Sequence, residues 1–256
     1  MFLGDKGSKP RYRNVRYNYD VLIDNEKMTL SKLSQNLGFF DIVFERKLKD
    51  METYYDNPGN LLTNTGLIIR KKTTPRRSYF TLIRMSNVRN FVDRERKEFL
   101  GECGQNDQPS DFPVQIADKI NEVFNNVFTI NLVDLIKHTS PYIVCDITGN
   151  RYKIISGTGY EAELCFEWLS VRNARTGKRA KVRNVSVAFT MDPDFEKERQ
   201  HILWTIDRYC KELVPLNHNH FEIANIEVKT RIPNPNEQHE DKKPDKKGKK
   251  KNKEGE

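Results

Sequence analysis

The stretch Tyr54-Tyr55-Asp56-Asn57-Pro58-Gly59-Asn60-Leu61-Leu62 decides the fold class, together with Gly66-Leu67-Ile68-Ile69-Arg70-Lys71-Lys72 and Tyr79-Phe80-Thr81-Leu82-Ile83-Arg84 that follow it. Asn57-Pro58-Gly59-Asn60 is turn chemistry, and the runs beyond it are β-branched and aromatic, which reads as strands. Side chains two apart on a strand share a face, so Arg70 and Lys72 point together, and Leu82 and Arg84 do the same on the next strand. Leu67 and Ile69 form an apolar opposite face that has to pack against something. Cations in register on successive strands suit a polyanion.

Around this stretch the pattern is strand-rich. Val15 to Asp24 alternates as a strand, with Tyr17, Tyr19, Val21 and Ile23 on one side. A helix follows, with Leu30, Leu33 and Leu37 at helical spacing, Thr29 as its cap and Gly38 as its end. Short strands are expected at 42–44, 51–55 and 91–100, the last with Arg94, Arg96 and Glu98 on one face. Gly101 to Pro113 reads as a loop, and Pro113 to Val127 has helical period. Pro141 to Ile147 and Tyr152 to Ser156 read as two strands joined at Gly149-Asn150. Tyr160 to Ser170 and Val182 to Met191 read as a hairpin around Ala174 to Lys178. Asp192-Pro193-Asp194 opens a helix over Phe195 to Leu213, and Phe221 to Ile232 reads as a last strand. About eight strands with short helices in one domain predict an α+β fold built on an antiparallel sheet or closed barrel.

Composition sets further bounds. A chain of 256 residues can bury a proper core, and no run of about 18 apolar residues predicts a membrane span. Met1 to Arg16 is polar and basic, unlike a signal peptide. Cys103, Cys145, Cys165 and Cys210 are far apart and lack metal-ligand spacing, so they read as reduced thiols of a cytoplasmic protein. The formal net charge is +8. Residues 233–256 hold eight Lys against six acids, so +6 of the excess belongs to the residues before that tail, which read as a domain at 15–232 and a short arm. The lysine-rich tail has nothing to bury and is expected to be disordered, as is a short arm at 1–14. The five histidines form no constellation, and no Gly-rich phosphate loop or nucleophile elbow occurs.

The order strand, helix ending in Leu37-Gly38, Tyr-Tyr-Asp-x-Pro, Gly-x-x-x-Arg-x-Lys and Thr-Leu-x-Arg resembles the CYTH branch of the triphosphate tunnel metalloenzymes. The resemblance implies an eight-stranded antiparallel β-tunnel, a closed barrel with a few flanking helices. In that family, inward Arg and Lys grip phosphates, and inward Glu and Asp hold Mg²⁺ or Mn²⁺. Carried over by position, the phosphate-binding set is Arg70, Lys72, Arg84, Arg96 and Arg151, and the metal set is Glu98, Glu163 and Glu167. Arginine suits the first task because its planar fork can donate two hydrogen bonds to one phosphate.

The acidic half of the family pattern is depleted. Arg16-Tyr17-Asn18-Tyr19-Asp20 stands where the family has Glu-x-Glu-x-Lys. Asn184, Ser186 and Ala188 stand where a later strand carries alternating glutamates. Glu45 lies after the helix, in the wrong place for the family motif. The closing strand's Ser-Lys pair is missing unless Lys229 supplies its lysine. The resemblance therefore implies a cationic tunnel that binds a triphosphate-bearing or polyphosphate anion with weak or no hydrolysis, with Mg²⁺, Mn²⁺ or no metal. Two alternatives stay open. One is an active metal-dependent triphosphatase acting on an inorganic, nucleotide or RNA 5′-triphosphate. The other is a nucleic-acid-binding protein using the basic surface and tail.

Overall fold

The computed structural model describes residues 14–85, 95–124 and 131–228, with the backbone alone at 95, 96, 123 and 124. The expected tail, the arm before Asn14, Arg94, Val127 and Lys229 lie outside the described residues. Nine strands form one antiparallel sheet in the order β5-β4-β3-β2-β6-β7-β8-β1-β9. They are β1 (Asn14–Val21), β2 (Phe40–Asp56), β3 (Leu67–Thr73), β4 (Ser78–Met85), β5 (Glu95–Cys103), β6 (Ser140–Ser156), β7 (Glu161–Asn173), β8 (Arg179–Thr190) and β9 (Leu213–Leu216). The helices are α1 (Glu26–Asn36), α2 (Leu61–Asn64), α3 (Pro113–Phe124), α4 (Leu132–Lys137), α5 (Glu196–Tyr209) and α6 (His220–Val228). No helix among the described residues is long and apolar enough to cross a membrane.

The expected closed barrel of eight strands is not what the described residues form: they make an open sheet, with hydrogen bonding that stops at β5 on one edge and β9 on the other. The cause lies in the segment expected to be the last strand. Residues 220–228 are helical, and a reciprocal cap starts the helix: Glu222 N–H donates to Asn219 Oδ1 at 2.9 Å, and Asn219 N–H donates to Glu222 Oε2 at 3.0 Å. Phe221, Ile223, Ala224 and Val228 then bury against Leu48, Tyr54, Ile143 and Leu169 on the concave side of the sheet. A helix thus fills one end of the trough where a strand was expected to close it.

Two more core clusters cover the convex side. Leu33 and Leu37 of α1 and Ile202 and Ile206 of α5 pack on Tyr19, Leu164, Val185 and Val187. Ile116 and Ile120 of α3 and Leu132 and Ile136 of α4 pack on Ile69, Phe80 and Leu82. The apolar face of Leu67 and Ile69 therefore meets helices, which leaves the Arg70–Lys72 face to the concave side. Lys71 points outward and donates to the backbone carbonyls of Gln105 and Asp107 at 2.6 and 2.7 Å. At its start, α1 is capped by Asn25, whose Oδ1 accepts from Met28 N–H at 3.0 Å, rather than by Thr29.

The pairs of short strands expected at 42–55 and 141–156 are each one 17-residue strand. In β2 the register shifts between Phe44 and Arg46, a β-bulge at Glu45. In β6 continuity depends on Gly149, which has φ +144° and pairs with Glu167. A Cβ there would stand 1.9 Å from the Phe166 carbonyl oxygen. Gly149→Ala is accordingly expected to cost about 2 kcal/mol or more in urea unfolding, since both strain and overlap have to be relieved. Gly159→Ala, with φ +87° and open space around it, should cost about 1 kcal/mol. Equal losses at the two positions would show that the close approach of β6 to β7 is not what Gly149 provides.

Candidate anion-binding cavity

The trough holds an open cavity of about 730 Å³, lined among the described residues by eight Arg and Lys side chains against five Asp and Glu. Alternation along the strands supplies most of this lining. β3 contributes Arg70 and Lys72, β6 contributes Arg151 and Lys153, and β7 contributes Glu161 and Glu163. The bulge in β2 turns both Glu45 and Arg46 inward, and Asp50 and Glu52 follow on the same side. Arg16 and Asn18 enter from β1, and His220 enters from the first turn of α6.

Arg70, Lys72, Arg151 and Glu163 of the sequence-derived sets thus line the cavity. Arg84 and Glu98 do not. Arg84 pairs with Leu67 and Glu98 with Leu82, and residues directly opposite in an antiparallel pair share a face, so both belong to the convex side. The sequence reading placed Arg84 by family position, whereas strand parity within this chain puts it on the face of the apolar residues. Lys97, opposite Ile83, lines the cavity instead. The backbone of Arg96 pairs with Arg84, and its side chain lies outside the described residues.

The deepest charges are arranged as a network. Glu52 is 1 % exposed and accepts from Arg70 at 3.1 Å and from Tyr54 Oη at 2.5 Å, with Lys72 at 3.5 Å. Lys72 also meets Asp50 at 3.2 Å. Glu167 accepts from Arg16 at 3.1 Å, Asn184 at 2.8 Å and Ser186 at 3.1 Å. His220 joins the two halves, with Nε2 3.0 Å from Glu167 and Nδ1 3.5 Å from Glu52. Burial opposes the charge on each of these groups, and their mutual attraction outweighs it. Against burial, His220 and Arg16 bring Glu167 down to about 2. Arg70, then His220 and Lys72, hold Glu52 well below the usual carboxylate range. Glu167 and Glu52 raise His220 above its ordinary 6.5.

The expected metal set does not assemble. Glu98 is on the convex face, both oxygens of Glu167 are already taken by cationic and hydrogen-bonding partners, and Glu163 lies between Arg151 at 3.3 Å and Arg16 at 3.7 Å. Among the described residues no group of three or more His, Cys, Asp or Glu could hold a metal ion. Mg²⁺ takes hard oxygens with free lone pairs, and this donor set does not fit it. Sequence reasoning passed over Arg16, Asp50, Glu52 and His220. The alternation Asp50-x-Glu52-x-Tyr54 was a visible signal for two of them. Nothing in the sequence marked the bulge that turns Glu45 inward.

Comparison with known proteins gives a likeness of overall fold. No family model and no curated protein matches this chain. Among solved structures, the chain is similar to a Pyrococcus horikoshii OT3 protein at 14 % identity, covering 82 % of this chain and 97 % of the other with a TM-score of 0.44. It is also similar to the Hippeastrum adenylyl-cyclase-like protein HpAC1, described as having a dominant triphosphatase activity, at 11 % identity. That match covers 84 % of this chain and 96 % of the other, with a TM-score of 0.49. A candidate adenylate cyclase from Vibrio parahaemolyticus matches at 12 % identity over 84 % and 98 %, with a TM-score of 0.40. At such identities the chemistry of the cavity has to be read from this chain's own side chains.

The network itself is testable by pH. The raised pKa of His220 contributes stability that is complete below about 6.5 and is lost as pH rises through its folded value. The depressed pKa values of Glu167 and Glu52 contribute stability that is complete above about 4.5 and is lost as pH falls through their folded values, about 2 for Glu167. The melting temperature is therefore expected to be highest between about pH 4.5 and 6.5, and His220→Gln should flatten the alkaline limb. An unchanged limb in that variant would assign the titration to another group.

Proposed function

We propose that the trough binds a triphosphate-bearing or polyphosphate anion without needing a divalent metal, and that it hydrolyses such an anion weakly or not at all. The observation that carries this reading is the excess of cations over carboxylates among the described residues lining a cavity of about 730 Å³. A cleft walled by protein focuses such a field and strengthens it relative to an open surface.

The cations divide by depth. Arg70 and Lys72 have side chains only 13 % and 16 % exposed and face buried Glu52 and Asp50, so much of their charge is balanced from within. Lys153 and Arg77 stand further out, with side chains 37 % and 64 % exposed and exposed partners Glu161 and Glu102, and Lys97 is exposed as well. Arg151 is as covered as Arg70, but its partners Glu163 and Glu45 are 42 % and 33 % exposed. A bound anion trades those surface ion pairs for charge-assisted bonds to phosphate oxygens. The exchange is cheap, because surface pairs are worth little. Weak chemistry follows from the engagement of Glu167 and from Arg16 and Asn18 standing where carboxylates would otherwise hold a metal.

Calorimetric titration with tripolyphosphate, with and without Mg²⁺ or Mn²⁺ and with phosphate release followed in the same samples, tests the reading. The expected result is metal-independent, salt-sensitive binding without release. Arg151→Gln should weaken it about tenfold, the loss of one charge-assisted contact, with the fold intact. Arg70→Gln is expected to destabilise the protein as well, since it leaves Glu52 buried beside fewer cations. Metal-dependent release, or no binding under either condition, would overturn the proposal.

A further inference from the structure

A second charged surface lies on the other side of the same sheet. Between the helices that cover the two ends of the convex face, the β7–β8 hairpin is bare. Glu167 and Asp192 bracket 24 residues that include six Arg and Lys and no acid. Cross-strand register places Arg172 opposite Arg179, Ser170 opposite Lys181 and Trp168 opposite Arg183. All six are exposed, with Trp168 at 36 %. The row continues across β6 to Lys49 of β2, through Thr148.

Among the described residues, the side chains of Arg172, Arg179 and Lys181 make no hydrogen bond or ion pair, whereas Arg183 pairs with Asp24. The acids on this face are Asp146 on β6, with Asp24 and Glu26 at its border. The hairpin is held rigidly. Arg175 at its tip donates to the carbonyls of Asp56 and Asn57 at 2.7 and 2.6 Å and to Asn60 Oδ1 at 2.7 Å, and it lies over the Tyr142 ring.

We propose that this face docks single-stranded nucleic acid, its phosphates tracking Arg172, Arg179 and Lys181 and a base stacking on Trp168. Charge complementarity and the exposed indole select this occupant. Cations beside an aromatic platform on an open sheet face are what a single strand needs, because every base offers a π-face and no groove has to be entered. An anionic membrane surface would share the charge but takes a cluster of apolar anchors, whereas Trp168 is the one exposed large apolar side chain among the described residues of the β7–β8 hairpin, with Ile23 at its border. The surface is distinct from the cavity, so the two ligands do not compete for a site.

The test is fluorescence anisotropy of labelled oligouridine, about 20 nucleotides long to exceed the span of such surfaces, between about 50 and 200 mM salt. Every protein keeps the full chain, so the lysines after Pro233 contribute equally to each. The variant Arg172→Gln/Arg179→Gln/Lys181→Gln should keep its melting temperature, lose at least about tenfold in affinity and lower the salt slope by about 2, as expected for three phosphate contacts. Trp168→Ala should lose about fivefold or more. Saturating tripolyphosphate should leave the RNA affinity of the wild type within about twofold once ionic strength is matched. Three outcomes would overturn the proposal: a triple variant that binds as the wild type does, RNA displaced by tripolyphosphate, or charge-dependent capture by phosphatidylserine vesicles without RNA binding.

Discussion

The contact of His220 with Glu167 and Glu52 holds the open sheet in its trough shape. Glu52 stands on β2 and Glu167 on β7, with β6 between them in the sheet. His220 spans that distance from the N-terminus of α6, which is an unfavourable place for a cation unless carboxylates surround it. Two further bonds extend the bridge. Asn184 donates to Asn18 Oδ1 at 3.1 Å, and Asn18 donates to the His218 carbonyl at 2.9 Å. Strands β2, β7, β8 and β1 are thereby joined to one helix through side chains, in a sheet whose edges, among the described residues, are not hydrogen-bonded to each other. Buried ion networks of this kind contribute little net stability over apolar packing, but losing one member is costly. Their effect here is to fix where α6 sits.

That fixation bears directly on chemistry. A carboxylate that accepts from an asparagine, a serine and a histidine on one oxygen and from an arginine on the other has little capacity left for a metal or for activating water. Glu167 is in that condition, and Glu52 nearly so. Acidity in the trough therefore serves the architecture, while the outer cations, balanced only by half-exposed partners, remain exchangeable. The charge excess of the cavity is in this sense a property of its mouth more than of its floor.

Much of the architecture was legible because it rests on period and turn chemistry. The β7–β8 hairpin, the β3–β4 pair and the spans of α1, α3 and α5 all follow from alternation, helical spacing and Gly or Asx punctuation. What escaped did so for identifiable reasons. β-branched and aromatic residues at 221–228 read as strand, although Asn219-x-x-Glu222 was a capping box in plain view, and a satisfied helix start outweighs weak propensity. Two pairs of short strands merged because a bulge at Glu45 and the missing side chain of Gly149 let long strands continue through apparent breaks. Of the cavity, Arg70, Lys72, Arg151 and Glu163 were accessible from position in the chain. Arg84 and Glu98 were misplaced because a one-residue difference in parity sends a side chain to the other face. His220 was out of reach, since its role depends on a helix that the sequence reading had made a strand.

The same parity that removes Arg84 from the cavity gives the sheet two chemistries. Along β7, Glu163 and Glu167 look inward, while Trp168, Ser170 and Arg172 look outward. Along β8, Asn184 and Ser186 look inward, while Arg179, Lys181 and Arg183 look outward. The acids of β7 thus all lie on the concave side, Glu167 in the network that holds α6 and Glu161 and Glu163 paired with the cavity's cations. The convex side of the hairpin carries cations with hardly any acid to balance them. A basic outer surface and a carboxylate-braced trough arise together from one alternating pattern, since a strand that commits its acids to one face leaves the other face to its cations.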